Sequence, residues 1–469
     1  MVVFDPRKLA DWSCGKWQGA ALDRDLIGFS IDTRRISSGE VFVAINTDSR
    51  DGHDYLGQAT ESGASAAIVD HYVPYCLLPQ LVVEDSVQGL MDIASGHRRE
   101  FDGRVIGITG SCGKTSTKDA LALFMGDGTT CKTQGNLNNR LGLSLTLLSI
   151  DPVEHGSAVV EAGISEEGEM EDLARVLQPD VGIVTLVGEA HMEGLRTLEL
   201  VAREKYRLLD AVRPGGFSLF HEDCQRYEDY ATGGSAHWVM RETGSNQLDQ
   251  DSLSFLHCES CGDNPGTLEL NSSYFGRAAF ELPLSAFGSA TIRNLSMALG
   301  VSLRSGVSPE KLQDRLSRWQ PSKLRGEVRV LDGQVFYVDC YNANPASMRE
   351  AIETFSKRFF EQPKLYVLGS MNELGEESQS LHRSTGAGFT MSASDRAVLC
   401  GPHAEAMREG MLSGGTSSSA VTIVERAEQA RLQVQAFHGA ILLKGSRSYG
   451  LECLLPEDEM IEKRRLTAC

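Results

Sequence analysis

The chain has 469 residues, 41% of them apolar and 23% charged, with a formal net charge of −19. That length exceeds the roughly 250–300 residues over which a single core keeps growing, so several domains are expected. The acidic balance argues against nonspecific binding to nucleic acid or anionic membranes, while leaving room for a local basic pocket that takes a phosphorylated ligand.

The N-terminal MVVFDPRKLADW lacks a basic segment followed by a long apolar one, and no later run holds the roughly 18 apolar residues of a membrane span. A cytoplasmic protein without stable membrane insertion is expected. Eleven scattered cysteines read as reduced thiols rather than a disulfide framework. His257-Cys258-Glu-Ser-Cys261 has metal-like spacing, but no second CxxC closes a tetrahedral zinc site, so it reads as a loop with two thiols.

In chain order, IGFSIDTRRISSGEVFVAIN gives two short apolar runs around a Ser-Ser-Gly turn. AAIVD and PQLVVED read as further strands, with a helix near 54–63 before them. RVIGITG is a strand that ends in a glycine loop, and TSTKDALALFMG continues as a helix. SAVVEAGI, MEDLARVL, DVGIVTLV and LELVAREKYRLLDAV then alternate strand and helix, the signature of a parallel sheet covered by helices. Residues 240–280 interrupt the alternation with polar sequence and the run TLELNSSYF, read as an antiparallel insertion. From about 320, VFYVDCY, KLYVLGS, RAVLCG and GAILLKGS predict a second open sheet, and SGGTSSSA at 413–420 a surface loop. The fold class is α/β in three domains: a small α/β unit over 1–88, a central P-loop-type domain with a mostly parallel sheet over 89–320, and a Rossmann-like α/β domain over 321–469.

The glycine loop, Gly110-Ser111-Cys112-Gly113-Lys114-Thr115, is a shortened phosphate loop, since the usual first glycine of G-x-x-x-x-G-K-[ST] is replaced by Ile108. Its glycines let backbone N–H groups curl toward phosphate oxygens, Lys114 can reach the β and γ phosphates, and the Thr115 hydroxyl can ligate magnesium. Ligands of open α/β sheets gather at the carboxyl ends of strands, where Glu161 and His191 also fall, so the three are expected to converge. Glu161 suits a hard cation; His191 is an unusual ligand for one. Lys205, taken alone, reads as an exposed helix lysine.

TGSCGKTS, TQGNLNNRLG, VVEAGISEEGE, LVGEAHMEGLRTLELVAREK, DCYNANPASM, LGSMNELG and LKGSR succeed one another in the order and spacing of the Mur ligases. The chain resembles that family over nearly its whole length, most of all the branch acting on a UDP-N-acetylmuramoyl-tripeptide and D-alanyl-D-alanine. The resemblance implies an ATP-dependent acid–amino-acid ligase that works through an acyl phosphate, uses two Mg²⁺ ions and acts as a monomer. Laid on this sequence, it implies that Gly110, Ser111, Cys112, Gly113, Lys114, Thr115 and Ser116 hold the ATP phosphates. Thr115, Glu161, His191 and a carbamylated Lys205 would hold metal. Asn294 would lie near adenine, Arg325, Asp339, Tyr341 and Asn342 would reach ATP from the third domain, and Asn138 and Asn139 would border the substrate. Thr33 and Arg34 would hold the UDP moiety. Ala290, Thr291, Val338 and Ser370 depart from the family pattern around the nucleotide. Two other classes fit parts of the sequence. A superfamily ligase adding a single amino acid would bring a DNPR-like or folate-type feature, and a nonenzymatic nucleotide-binding protein would not need Glu161, His191 and Lys205 together.

Overall fold

The computed structural model of the protein describes residues 2–22, 25–232, 237–242, 252–258 and 266–456. Three main sheets succeed one another along the chain. The first has five strands in the order Lys16–Gln18, Gln80–Val82, Ala66–Val69, Val41–Val43 and Phe29–Ser30, all parallel except the Lys16–Gln18 edge. The helix Ser86–Arg99 joins it to the central sheet. Arg98, fully buried on that helix, donates to the carbonyls of Leu177, Gln178 and Phe101 and pairs with Asp180 at 2.8 Å. A buried guanidinium is tolerated because its donors are met.

The central sheet has nine strands. From one edge they run Gly276–Glu281, Thr267–Ser272, Ser252–Cys258, His237–Glu242, Phe217–His221, Val181–Val184, Arg104–Thr109, Ser157–Glu161 and Thr130–Lys132. The region read as an antiparallel insertion is instead an extension of this sheet. Its strands His237–Glu242 and Ser252–Cys258 still pair parallel, and only the last two strands turn antiparallel. Alternate residues of the core strands feed two different apolar layers: Val105, Ala158 and Val160 pack on one face, Ile106, Ile108 and Val159 on the other. Burial on both faces is why these strands read as continuous apolar runs.

The third sheet runs Glu327–Leu331, Gln334–Asp339, Ala440–Lys444, Lys364–Gly369, Arg396–Cys400 and Val421–Val424, antiparallel only at the first pair. It too is covered on both faces, by Tyr366, Leu368 and Leu442 on one side and Leu365, Val367 and Leu443 on the other. Register places Glu161 beside Ile108 and Val184 beside Thr109 in the central sheet, and Asp339 beside Lys444 in the third. The carboxyl ends of these strands meet at one cleft.

Candidate active site

The cleft, with a volume near 480 Å³, is large enough for a nucleotide and is lined by residues of the central and third sheets. Its floor is the loop after Arg104–Thr109. Gly110 has φ 149° and Gly113 φ 81°, in the half of backbone space that side chains avoid. A Cβ at Gly110 would strike Thr185 Oγ1, and one at Gly113 would lie 2.5 Å from Asn294 Oδ1. Both positions therefore exclude a side chain. Gly113 is also the N-cap of the helix Lys114–Gly126, and no side chain caps that helix. Its first N–H groups are left for an anion, the arrangement by which helix N-termini bind phosphate. Ser111 Oγ donates to the Gly188 carbonyl at 2.8 Å and accepts from Gly188 N at 3.0 Å, so this side chain shapes the loop, and the Ser111 N–H is tied to the Leu186 carbonyl at 2.8 Å.

The Lys114 ammonium donates to the Gly110 carbonyl at 2.6 Å, folded back over its own loop. Desolvation lowers its pKa, with Glu161 opposing that shift. Glu161, 2% exposed, accepts from Thr115 Oγ1 and from Asn138 Nδ2, each at 2.9 Å. Three of the sequence-predicted residues thus form one hydrogen-bonded set, and Asn139 beside them caps the helix Arg140–Leu148 through Gly142 N. His191 sits at φ 57° after the neighbouring strand, its Nδ1 2.6 Å from Glu373 Oε2 of the third domain. Burial lowers its pKa, so near neutral pH the imidazole is uncharged and offers a lone pair.

Lys205 is buried and is not an exposed helix lysine. It lies on the helix Leu198–Asp210 at 1% exposure, and burial, followed by the Lys114 charge, lowers its pKa to about 7. An amine that is half neutral at such a pH is unlike a surface lysine.

Across the cleft, the Arg325 guanidinium stacks 4.2 Å over the Tyr341 ring. Asp339 pairs with Lys444 Nζ at 3.0 Å, and the same ammonium donates to the Asn342 carbonyl at 2.7 Å. Asn344 spans the two domains. Its Oδ1 accepts from Cys112 Sγ at 3.2 Å, its Nδ2 donates to the Ser111 carbonyl at 3.1 Å, and it caps the helix Pro345–Arg358 through Ser347 N. Asn294, Ser116, Ala290 and Thr291 also line the cleft, whereas Val338 and Ser370 are buried in the third domain.

Thr33 and Arg34 are not brought to this cleft. They stand on the short 3₁₀ turn of the first domain, where Thr33 Oγ1 donates to Gln58 at 2.9 Å and the exposed Arg34 guanidinium grips Asp32. Sequence reasoning missed Glu373, Asn344 and Lys444 as cleft residues, although LGSMNELG, DCYNANPASM and LKGSR contain them. Of the metal-like cluster, Cys258 ends the strand Ser252–Cys258, and Cys261 lies outside the described residues.

Comparison with known proteins adds a family. Residues 108–302 match the Mur ligase middle domain and residues 324–447 the Mur ligase glutamate ligase domain. The UDP-N-acetylmuramoyl-tripeptide--D-alanyl-D-alanine ligase of Treponema pallidum is 30% identical over 468 residues, covering 95% of this chain and 98% of its own. The enzyme of the same name from Escherichia coli is 29% identical over 457 residues, covering 96% and 97%. Among solved structures, MurF from Acinetobacter baumannii superposes with a TM-score of 0.83 at 25% identity, over 97% of this chain and 98% of that one. MurF from Thermotoga maritima in complex with ADP shares the fold, with a TM-score of 0.75 at 23% identity over 96% and 99%.

Proposed function

Because the chain belongs to the Mur ligase family, we infer that it is an ATP-dependent ligase joining D-alanyl-D-alanine to a UDP-N-acetylmuramoyl-tripeptide in peptidoglycan precursor synthesis. The observation that carries the chemistry is the uncapped phosphate loop joined through Thr115 to the buried Glu161 at the end of the next strand. The dipeptide-adding branch rests on full-length likeness to relatives bearing that name.

The terminal carboxylate of the tripeptide attacks the γ-phosphorus of ATP, and the bond to the β-phosphate oxygen breaks to give an acyl phosphate and ADP. The amine of D-alanyl-D-alanine then attacks the acyl carbon, inorganic phosphate leaves, and the nitrogen loses a proton. Little covalent work falls to the protein, which positions the reactants and offsets charge. The loop amides and Lys114 hold the phosphates, and Asn138 and Asn139 border the acceptor carboxylate. Arg325, Asp339 and Asn342 close over the nucleotide, with Asn294 beside the loop, excluding water from the acyl phosphate. Thr33 and Arg34 hold the UDP end on the first domain. We take the three units as 1–88, 89–320 and 321–469.

The donor set fits magnesium. Thr115 and Glu161 supply hard oxygens already turned toward each other, His191 a neutral nitrogen, and Lys205 a buried amine with a pKa of about 7. Bound there, the ions offset the charge of the phosphates. The neutral amine of Lys205 adds to CO₂ and loses a proton, and the carbamate so formed replaces a cation with two oxygen ligands. The enzyme works as a cytoplasmic monomer. ADP release tests the reading: it requires UDP-linked tripeptide and dipeptide together, and release indifferent to either peptide substrate would overturn it.

A further inference from the structure

The first domain holds a second cluster, remote in sequence from the phosphate loop. Among the described residues, His53, Asp70 and His71 form the one group whose three ligand atoms lie within 4.8 Å of one another. His53 is buried, and its Nδ1 meets Asp51 Oδ1 at 2.7 Å. With that proton donated to Asp51, Nε2 carries the lone pair. It faces Asp70 Oδ1 at 3.3 Å, with only a long hydrogen bond, also 3.3 Å, from Asp70 N. Asp70 Oδ1 therefore lies between two imidazoles, so three potential ligand atoms are gathered within 4.8 Å of one another. Asp70 Oδ2 is held by Asn46 Nδ2 at 2.5 Å, and Oδ1 also meets His71 Nδ1 at 2.5 Å.

We propose that His53 Nε2, Asp70 Oδ1 and His71 Nδ1 bind a divalent transition-metal cation of the zinc type on the first domain. Tetrahedral ligation with bonds of about 2.0–2.1 Å sets ligand atoms roughly 3.3 Å apart, which the His53–Asp70 pair already satisfies. Both of those ligands are oriented by a partner, Asp51 behind His53 and Asn46 behind Asp70, the outer support that metal-binding histidines and carboxylates generally have. The His71 ring stacks on His53 with centroids 4.1 Å apart, and must splay to turn its lone pair onto the ion. It is exposed, and to ligate through Nδ1 it must break its 2.5 Å contact with Asp70 Oδ1 and carry its proton on Nε2. Two imidazoles and one carboxylate favour zinc over magnesium, which separates this site from the oxygen-rich one beside Glu161.

The full-length protein, stripped with chelator and returned to buffer with excess Mg²⁺, is titrated with ZnCl₂ by calorimetry, and its melting temperature is followed with and without Zn²⁺. His71→Ala and Asp70→Asn change side chains at the domain surface and leave the buried His53–Asp51 contact in place. Wild type should bind one equivalent of zinc more than either variant, or bind it at least about tenfold more tightly, and only wild type should gain melting temperature from that equivalent. Equal stoichiometry, affinity and melting shift in all three proteins would overturn the site and leave an imidazole–carboxylate network that closes the turn.

Discussion

Lys205 and Lys114 bring two amines into one poorly solvated neighbourhood, and the Lys114 charge is the largest influence on Lys205 after burial itself. Proteins rarely keep such a pair without a compensating anion. A carbamate on Lys205 would supply it.

Lys205→Ala is therefore expected to be nearly inactive at saturating ATP and Mg²⁺, with partial recovery on adding acetate or another short carboxylic acid. Full activity in the variant would remove the carbamate from the mechanism. In buffer with ¹³C-bicarbonate, wild type should show a carbamate carbon resonance that Lys205→Ala lacks.

Stability in CO₂-free buffer should report the same amine. Its folded pKa of about 7 lies below the unfolded value of 10.5, so between those pH values the unfolded chain binds more protons. Stability from this group then rises with pH across that window, and the full penalty is present below it. Urea unfolding should show Lys205→Met exceeding wild type most at about pH 6 and by less at about pH 9. A gap that does not change with pH would mean the ammonium is solvated.

Lys114→Ala should abolish ligation with little change in melting temperature, because the ammonium caps its own loop and packs in no apolar layer. Unchanged turnover would sink the phosphate-loop assignment.

Asn344 has two roles that substitution can separate. Asn344→Ala loses the helix cap and should cost about 1 kcal/mol of stability. Asn344→Asp keeps a capping oxygen but loses the donor to the Ser111 carbonyl, so it should melt near wild type while its KM for ATP rises. A wild-type KM in the Asp variant would mean the contact across the cleft has no effect on nucleotide binding.

Thr33→Ala combined with Arg34→Ala should raise KM for the UDP substrate several-fold with kcat nearly unchanged, since contacts far from the reacting carboxylate bind ground and transition states alike. A fall in kcat alone would place these residues elsewhere in the reaction.

Much of the fold is legible in the sequence because strands buried on both faces must be apolar throughout, and because a glycine loop between strand and helix constrains its own geometry. Glu161 can be read from its place at a strand end. Lys205 reads as a surface lysine despite a local clue: it shares the buried stripe of its helix with Val201, Ala202, Leu208 and Leu209. Glu373 gives no such clue, and Asn344 and Lys444 give only a local one, a helix cap before Pro345 and a lysine closing an apolar strand. Their roles arise from how the third sheet docks on the second, and no local pattern of polar residues encodes that docking. The sheet extension at 237–258 is obscured because polar sequence interrupts the strands that continue the parallel pairing.

The clasp between Cys112 and Asn344 makes one thiol a reporter of domain opening. While Asn344 holds it, the Cys112 sulfur is shielded and its pKa is raised by burial. The sulfur is only partly exposed at the cleft, so a thiol reagent should reach it faster once the third domain has drawn back. Exposed Cys14 and Cys258 should be alkylated at once, and the part of the slower labelling that a Cys112→Ser variant lacks would count excursions of the cleft. Nucleotide analogues could then be ranked by how far they slow that phase, which would measure their grip on the closed form without any turnover.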